Sequence, residues 1–158
     1  MLLCYFVNRR IEENTMHIHA ISISETKGVR KDNVTTAFLR PEHGIVSDAH
    51  AGNWHRQVSL LAKESIAKMI EKGLNVGPGD FAENITTEGI DLTALPIGGR
   101  LRLGTDALVE VTQIGKECHD RCAIYNEAGD CVMPREGIFV KVLTGGTINP
   151  GDSITYEG

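Results

Sequence analysis

Seventeen glycines are scattered through the 158 residues, and most fall between short runs of β-branched or leucine-rich sequence. Such punctuation breaks helices before they can propagate, and it favours many short strands joined by tight turns. Strand-like runs lie at 17–24, 35–39, 58–61, 82–86, 100–103, 107–113, 138–143 and 153–156. Several alternate, as Leu101/Leu103 and Val109/Val111 do, so one face of each strand points inward. The segments GPGD at 77–80, IGG at 97–99, TGG at 144–146 and NPGD at 149–152 read as β-turns. Only 62–72 reads clearly as helix, with Ile66, Met69 and Ile70 at helical spacing and Gly73 placed for a left-handed C-cap. The expected fold is mainly β: a closed or nearly closed barrel with one or two helices, because closure removes the edges that so many short strands would otherwise expose.

Size and charge narrow the function classes. The length fits one domain. Sixteen Lys+Arg stand against 21 Asp+Glu, a net charge of −5. With no Lys/Arg run, this argues against nucleic acid or an anionic membrane as the main partner. No apolar run approaches the roughly 20 residues that span a bilayer. The apolar start MLLCYFV (1–7) has no basic residue before it and is followed by NRRIEE, not by a small-residue cleavage site, so it does not read as a signal peptide. Met16 opens a strand-like run. Residues 1–15 therefore read as an N-terminal extension, either upstream of the true start or an added strand, and 16–158 as a single domain. Four cysteines without a secretory leader fit a reducing cytoplasm with free thiols.

Four segments could carry chemistry. In ECHDRC (117–122), Lys116, His119 and Arg121 set positive charge beside Cys118 and Cys122, which favours thiolate, the form that attacks sulfur donors or binds metal. Other readings are buried structural cysteines, or a zinc site from Cys118, Cys122, Cys131 and His119, whose spacing misses the usual knuckle. A Cys118–Cys122 disulfide would require the loop to fold back on itself. In EHGIVSDAHAGNWHRQ (42–57), three histidines, Asp48 and Arg56 lie within 14 residues, with Gly44 and Gly52 allowing close backbone approach, which fits a loop around a polar ligand. That loop also reads as merely solvated, or as a metal site from Asp48, His50 and His55. In GDFAENITTEGIDL (79–92), Glu83 and Asn84 sit in an apolar strand, where they must face a cavity or satisfy the neighbouring turn. Arg135, in PREGIF (134–139), precedes a strand and could clamp a phosphate or carboxylate.

Taken in order, DAHAGNWHRQVSLL, GDFAENITTEGIDL, IGGRLRLG with LVEVTQIGKECHDRC, then PREGIFVKVLTGG and INPGD make the chain resemble a MOSC domain, the C-terminal module of molybdenum cofactor sulfurases, over about residues 21–155. The resemblance implies a β-barrel of mixed strands, similar in outline to the pyruvate-kinase β-barrel, and the handling of sulfur or of the molybdenum cofactor (molybdopterin), a pterin with a dithiolene and a phosphate. It also implies a working cysteine. Distance from the preceding strand favours Cys118, the Arg-Cys pairing of eukaryotic relatives favours Cys122, and either would carry a persulfide or ligate molybdenum directly.

Asp48, His50, Gly52, Arg56 and Gln57 match the DAHAG…RQ signature, and Glu83 and Asn84 match ENIT. Arg135 matches a basic residue near the cofactor phosphate in relatives. By resemblance these residues line one pocket. Arg56 and Arg135 would neutralise the phosphate, while Asp48 and His50 would orient polar groups or relay protons.

Full-length sulfurases add a pyridoxal-phosphate desulfurase domain, which 158 residues do not hold, so pyridoxal phosphate is not expected in this chain. Sulfur would come from a separate cysteine desulfurase or a cofactor-biosynthesis enzyme, and an apo-molybdoenzyme would receive the product. The alternatives are a non-catalytic cofactor carrier or chaperone, and a molybdenum-dependent reductase of N-hydroxylated compounds.

Overall fold

A computed structural model describes residues 15–115 and 132–158. Eleven strands form among them: β1 (His17–Ile23), β2 (Asp32–Val34), β3 (Ala37–Arg40), β4 (Gly44–Ile45), β5 (Val58–Ala62), β6 (Ile85–Glu88), β7 (Arg100–Leu103), β8 (Ala107–Ile114), β9 (Ile138–Thr144), β10 (Gly146–Ile148) and β11 (Ile154–Tyr156). The described residues also hold two helices, α1 (Lys63–Glu71) and the single turn α2 (Met133–Glu136), and a 3-10 turn at Leu92–Ala94.

Eight strands make one mixed sheet in the order β11-β7-β8-β9-β5-β6-β1-β2, and β10-β3-β4 make a second. Its one parallel pair is β5 with β6, which α1 connects. The crossover explains the helix, since parallel neighbours need a long connection.

The mainly β fold with two helices is as expected, and of the closed or nearly closed barrel anticipated, full closure does not form among the described residues. The ladder stops at β11 and β2. Only one bridge, His17 to Ser153, and backbone bonds such as Ile18 N–H to Asp152 O (2.8 Å) and Ile154 N–H to Met16 O (2.9 Å) tie the start of β1 to the β11 end. β2 pairs only with Ile21–Ile23, so the free edge of the first half of β1 meets residues 151–154 through these few bonds and not through a continuous ladder.

The main core takes the inward side chains, among them Ile18, Ile21, Leu60, Ile85, Leu101, Leu103, Val109 and Val140, all without exposure. β5 is buried on both faces and so lacks alternation. Val58 and Leu60 enter the main core, while Leu61 joins Ile66, Met69, Phe81, Val132, Met133 and Phe139 beneath α1.

The C-terminus of α1 ends as its sequence requires. Gly73 takes φ +94°, and the N–H groups of Gly73 and Leu74 bond the carbonyls of Ile70 (2.9 Å) and Met69 (3.3 Å). Ile66 and Met69 are buried as expected, but Ile70 is 51% exposed because one further position round the helix points away from the sheet. The strand expected at 82–86 starts at Ile85 instead, because Ala82 adopts φ +61° and leaves Glu83 and Asn84 in the approach.

Candidate functional site

The loop 46–57 leaves β4 and returns as β5. Gly44 sits at φ +117°, where a Cβ would lie 2.8 Å from the Gln57 carbonyl, so glycine is required there. Gly52 carries no such demand, since a Cβ would meet only Trp54 at 3.7 Å, and its contribution is a backbone bond to His43 O (2.6 Å).

The first half of the loop folds around a buried ion pair. The Asp48 side chain is 1% exposed and that of Lys31 is 0% exposed, with Nζ 2.8 Å from Asp48 Oδ1. Backbone N–H groups of Ser24 (3.1 Å) and His50 (3.0 Å) also donate to the carboxylate. Burial alone would raise the Asp48 pKa, but the Lys31 ammonium and these donors outweigh it and hold the carboxyl below its ordinary value.

Lys31 Nζ further reaches Ser24 Oγ (2.9 Å) and His50 Nδ1 (3.0 Å). Ser24 gives its own proton to Thr26 O (2.9 Å), so its oxygen accepts from Lys31. The three ammonium protons then go to Asp48, Ser24 and His50. His50 Nδ1 is therefore an acceptor, and its ring proton sits on Nε2. Lys31 escaped the sequence reading because Arg30-Lys31-Asp32 looks like a solvated turn; its burial comes from packing that no local pattern records.

The second half of the loop is built differently. Trp54 Nε1 donates to His50 O (2.9 Å), which pins the indole. The Arg56 guanidinium lies over Trp54 at 4.7 Å and over Phe139 at 5.5 Å. Its Nε is buried without a hydrogen-bond partner among the described residues. Lys27, in the turn between β1 and β2, lies 5.4 Å from the same indole centroid. His55 Nε2 is 3.0 Å from Gln113 Oε1, and Thr112 Oγ1 contacts the His55 and Phe139 carbonyls. His55 is thereby turned to β8, and among the described residues no three potential metal ligands of the His, Cys, Asp and Glu types come together.

Gln57 is 3% exposed and accepts from Val142 N–H (2.9 Å). Glu83 and Asn84 have no exposure. Asn84 ties three segments, its Oδ1 accepting from Ser59 N–H (3.1 Å) and its Nδ2 donating to Ser22 O (3.1 Å). Glu83 caps the turn before it, accepting from Gly79 N–H (2.8 Å) and Thr86 Oγ1 (3.3 Å). Burial pushes the Glu83 carboxyl up to about 7, against the lowering effect of these turn N–H groups. Gly79 carries the link onward: Lys31 N–H bonds its carbonyl (2.8 Å).

Two clefts lie near the residues named so far. One, of about 560 Å³, is lined by Asn53, Trp54, His55, Gln57, Thr112 and Lys141 among others. The other, of about 660 Å³, lies between α1, α2 and the 89–93 loop and holds Arg135, Lys68 and Glu136. They share no lining residue, so Arg135 faces a different cleft from Asn53, Trp54, His55 and Gln57.

Lys116, Cys118, His119, Arg121, Cys122 and Cys131 lie outside the described residues, as does Cys4. The flanks of 116–131 are described. Gly115 N–H bonds Gly137 O (2.7 Å), Gln113 Nε2 bonds Gly115 O (2.8 Å), and Val132 and Met133 are buried against Phe139. The flanks of the cysteine-bearing segment thus stand beside the residues that hold His55 and Arg56.

No curated protein sequence matches the chain. Among solved structures it is similar to the YuaD protein from Bacillus subtilis, at 20% identity and TM-score 0.68, covering 89% of this chain and 94% of that one. It is also similar to YiiM from Geobacillus stearothermophilus, at 21% identity and TM-score 0.68, covering 90% and 75%, and to YiiM from Escherichia coli, at 19% and 0.60, covering 89% and 69%. At such identities the likeness speaks for the fold. The family model for the MOSC domain matches residues 47–155, which take in the 48–57 loop, Glu83, Asn84, the cysteine-bearing segment and Arg135. The chain belongs to the MOSC domain family.

Proposed function

We propose that the chain binds the molybdenum cofactor or its precursor, with Cys118 or Cys122 as the residue that accepts sulfur or ligates the metal. The observation that carries this reading is Arg56: a guanidinium set between two aromatic rings, one nitrogen buried and unpartnered, at the flank of the cysteine-bearing segment. A buried unsatisfied donor calls for an explanation, and an anionic ligand supplies one. Beside it, the cleft lined by Asn53 and Trp54 offers the amide of Asn53, while Lys141 at the same cleft is paired with Glu110.

When bound, the cofactor supplies redox and sulfur or oxygen exchange at its metal. The chain holds the anionic end with Arg56. In sulfur transfer, the Cys118 or Cys122 thiolate attacks the outer sulfur of a desulfurase persulfide. A new S–S bond forms at this chain, the donor's S–S bond breaks, and the donor cysteine leaves as thiolate, with no net oxidation. The partners on this reading are a cysteine desulfurase or cofactor-biosynthesis enzyme and an apo-molybdoenzyme, in a reducing cytoplasm. Among the described residues no helix is long and apolar enough to cross a membrane.

The test is peptide mass spectrometry after incubation with cysteine and a cysteine desulfurase. One added sulfur on Cys118 or Cys122 is the expected result. Sulfur only on Cys4 or Cys131, or none on any cysteine, contradicts the transfer step. In the last case, cofactor binding that is lost on replacing one of the two cysteines would assign that residue to the metal, and binding that survives both replacements would leave a carrier.

A further inference from the structure

We infer that the free edge of β11 is the docking surface for the chain's own residues 12–14, as an antiparallel continuation of β1 that completes the ring. The sidedness of β11 identifies the edge. Ser153 O accepts from Gly104 N–H (2.9 Å) and Glu157 N–H donates to Arg100 O (2.9 Å), so residues 153, 155 and 157 turn their backbone groups to β7. Residues 154 and 156 turn theirs the other way. There Ile154 N–H finds Met16 O (2.9 Å), while the N–H and C=O of Tyr156 have no partner among the described residues. An unpaired edge of this kind is a template for one more strand.

Direction and register are set where β1 begins. His17 faces Ser153 in an antiparallel bridge, flanked by the bonds Ile18 N–H to Asp152 O and Ile154 N–H to Met16 O. Each step upstream from His17 is therefore matched by a step downstream from Ser153, which sets Thr15 opposite Thr155, Asn14 opposite Tyr156 and Glu13 opposite Glu157. His17 and Ser153 form a non-hydrogen-bonded pair, so by alternation Asn14 and Tyr156 form a hydrogen-bonded one, and its two N–H···O bonds satisfy both free groups of Tyr156. Gly89 keeps the path open on the other flank, since a Cβ there would lie 2.9 Å from Thr15 O. Burial and charge agree with an added strand. Tyr156 shares its side of β11 with Ile154, yet Ile154 is 3% exposed and Tyr156 44%, because no described residue covers that end. On the opposite face Arg100 and Arg102 stand against one carboxylate, Glu157, which Arg102 takes at 3.0 and 3.1 Å. Residues 12 and 13 are both glutamate, and the register brings Glu13 level with Glu157 and Arg100.

Amide hydrogen exchange of the full chain, followed by NMR, tests this pairing. Tyr156 N–H is expected to be protected although β7 does not bond it. Asn14→Pro removes the proton donated to Tyr156 O and sets a ring against β11, so Tyr156 exchange should quicken about tenfold or more, while Thr155 N–H, which faces β7, keeps its rate. Glu13→Pro, at a position whose N–H points away from β11 in this register, should leave Tyr156 close to the parent. Tyr156 exchanging like an unstructured amide in the parent overturns the inference, and that result is decisive even where a variant fails to fold. A larger effect of Glu13→Pro than of Asn14→Pro overturns it as well, because the register is then another one. Protection that rises with protein concentration also overturns it, by making the occupant a second copy of the chain.

Discussion

The two halves of the 46–57 loop handle positive charge in opposite ways. In the first, the Lys31 side chain is wholly buried and all three of its protons have acceptors within 3.0 Å. In the second, Arg56 lies between two rings with a buried nitrogen that bonds nothing described. A cation whose donors are all satisfied within the protein is part of the scaffold; one left unsatisfied has donor capacity to give to a ligand. The same distinction sorts the signature residues. Asp48, Gln57, Glu83 and Asn84 direct their bonds to backbone, to Lys31 or to the hydroxyls of Ser59 and Thr86, whereas Arg56 does not.

The sharpest way to break this contrast is Lys31→Met. It strands the Asp48 carboxylate in the interior, and removing one partner of a buried pair costs about 3–5 kcal/mol. Urea denaturation should show that loss, and Lys31→Met/Asp48→Asn should recover part of it. A loss below about 1 kcal/mol would place Lys31 among surface ion pairs.

Next comes Asn84→Ala, which leaves the Ser59 N–H and the Ser22 carbonyl unmatched in the interior. A buried group left without its partner costs about 1–3 kcal/mol, and urea unfolding should show a loss of that size.

Glu83 gives a pH signature. Its folded pKa, near 7, stands above the ordinary 4.5, so between those values the folded state binds more protons than the unfolded chain. Stability from this group is therefore present at low pH and lost as pH rises from about 4.5 to 7. Melting temperature followed across that window should fall less steeply in Glu83→Gln. Asp48 works the other way: its depressed pKa gives stability that is lost as pH drops below the ordinary carboxylate range.

The smallest effect on stability belongs to Arg56→Met. Losing two ring contacts costs about 1 kcal/mol, since a cation–π contact at a partly exposed site contributes roughly 0.5–1 kcal/mol. A larger loss by urea denaturation would move Arg56 into the scaffold.

Strands that bury an alternating or continuous apolar run were legible in the sequence, as were the helix and its glycine stop at Gly73. β2, β4 and β10 were not, because strands of two or three residues owe their existence to a neighbour's unpaired backbone more than to their own side chains. The incomplete closure lies in how briefly β1 meets residues 151–154, which no segment displays alone. For the site, residue types marked the right segments but not the direction of each side chain. Glu83 and Asn84 stood out as polar groups in apolar surroundings, a signal that turns and cavities share. Lys31 gave no signal, because its charged neighbours mask a burial that depends on Asp48, 17 positions away.

The decisive measurement is the molybdenum cofactor retained per mole of protein after gel filtration of the loaded parent and of Arg56→Met, each with its melting curve. The expected result is a variant that melts within a few degrees of the parent and has lost most of its cofactor. A variant that folds equally well and keeps its cofactor in full would show that Arg56 is not held open for an anionic ligand.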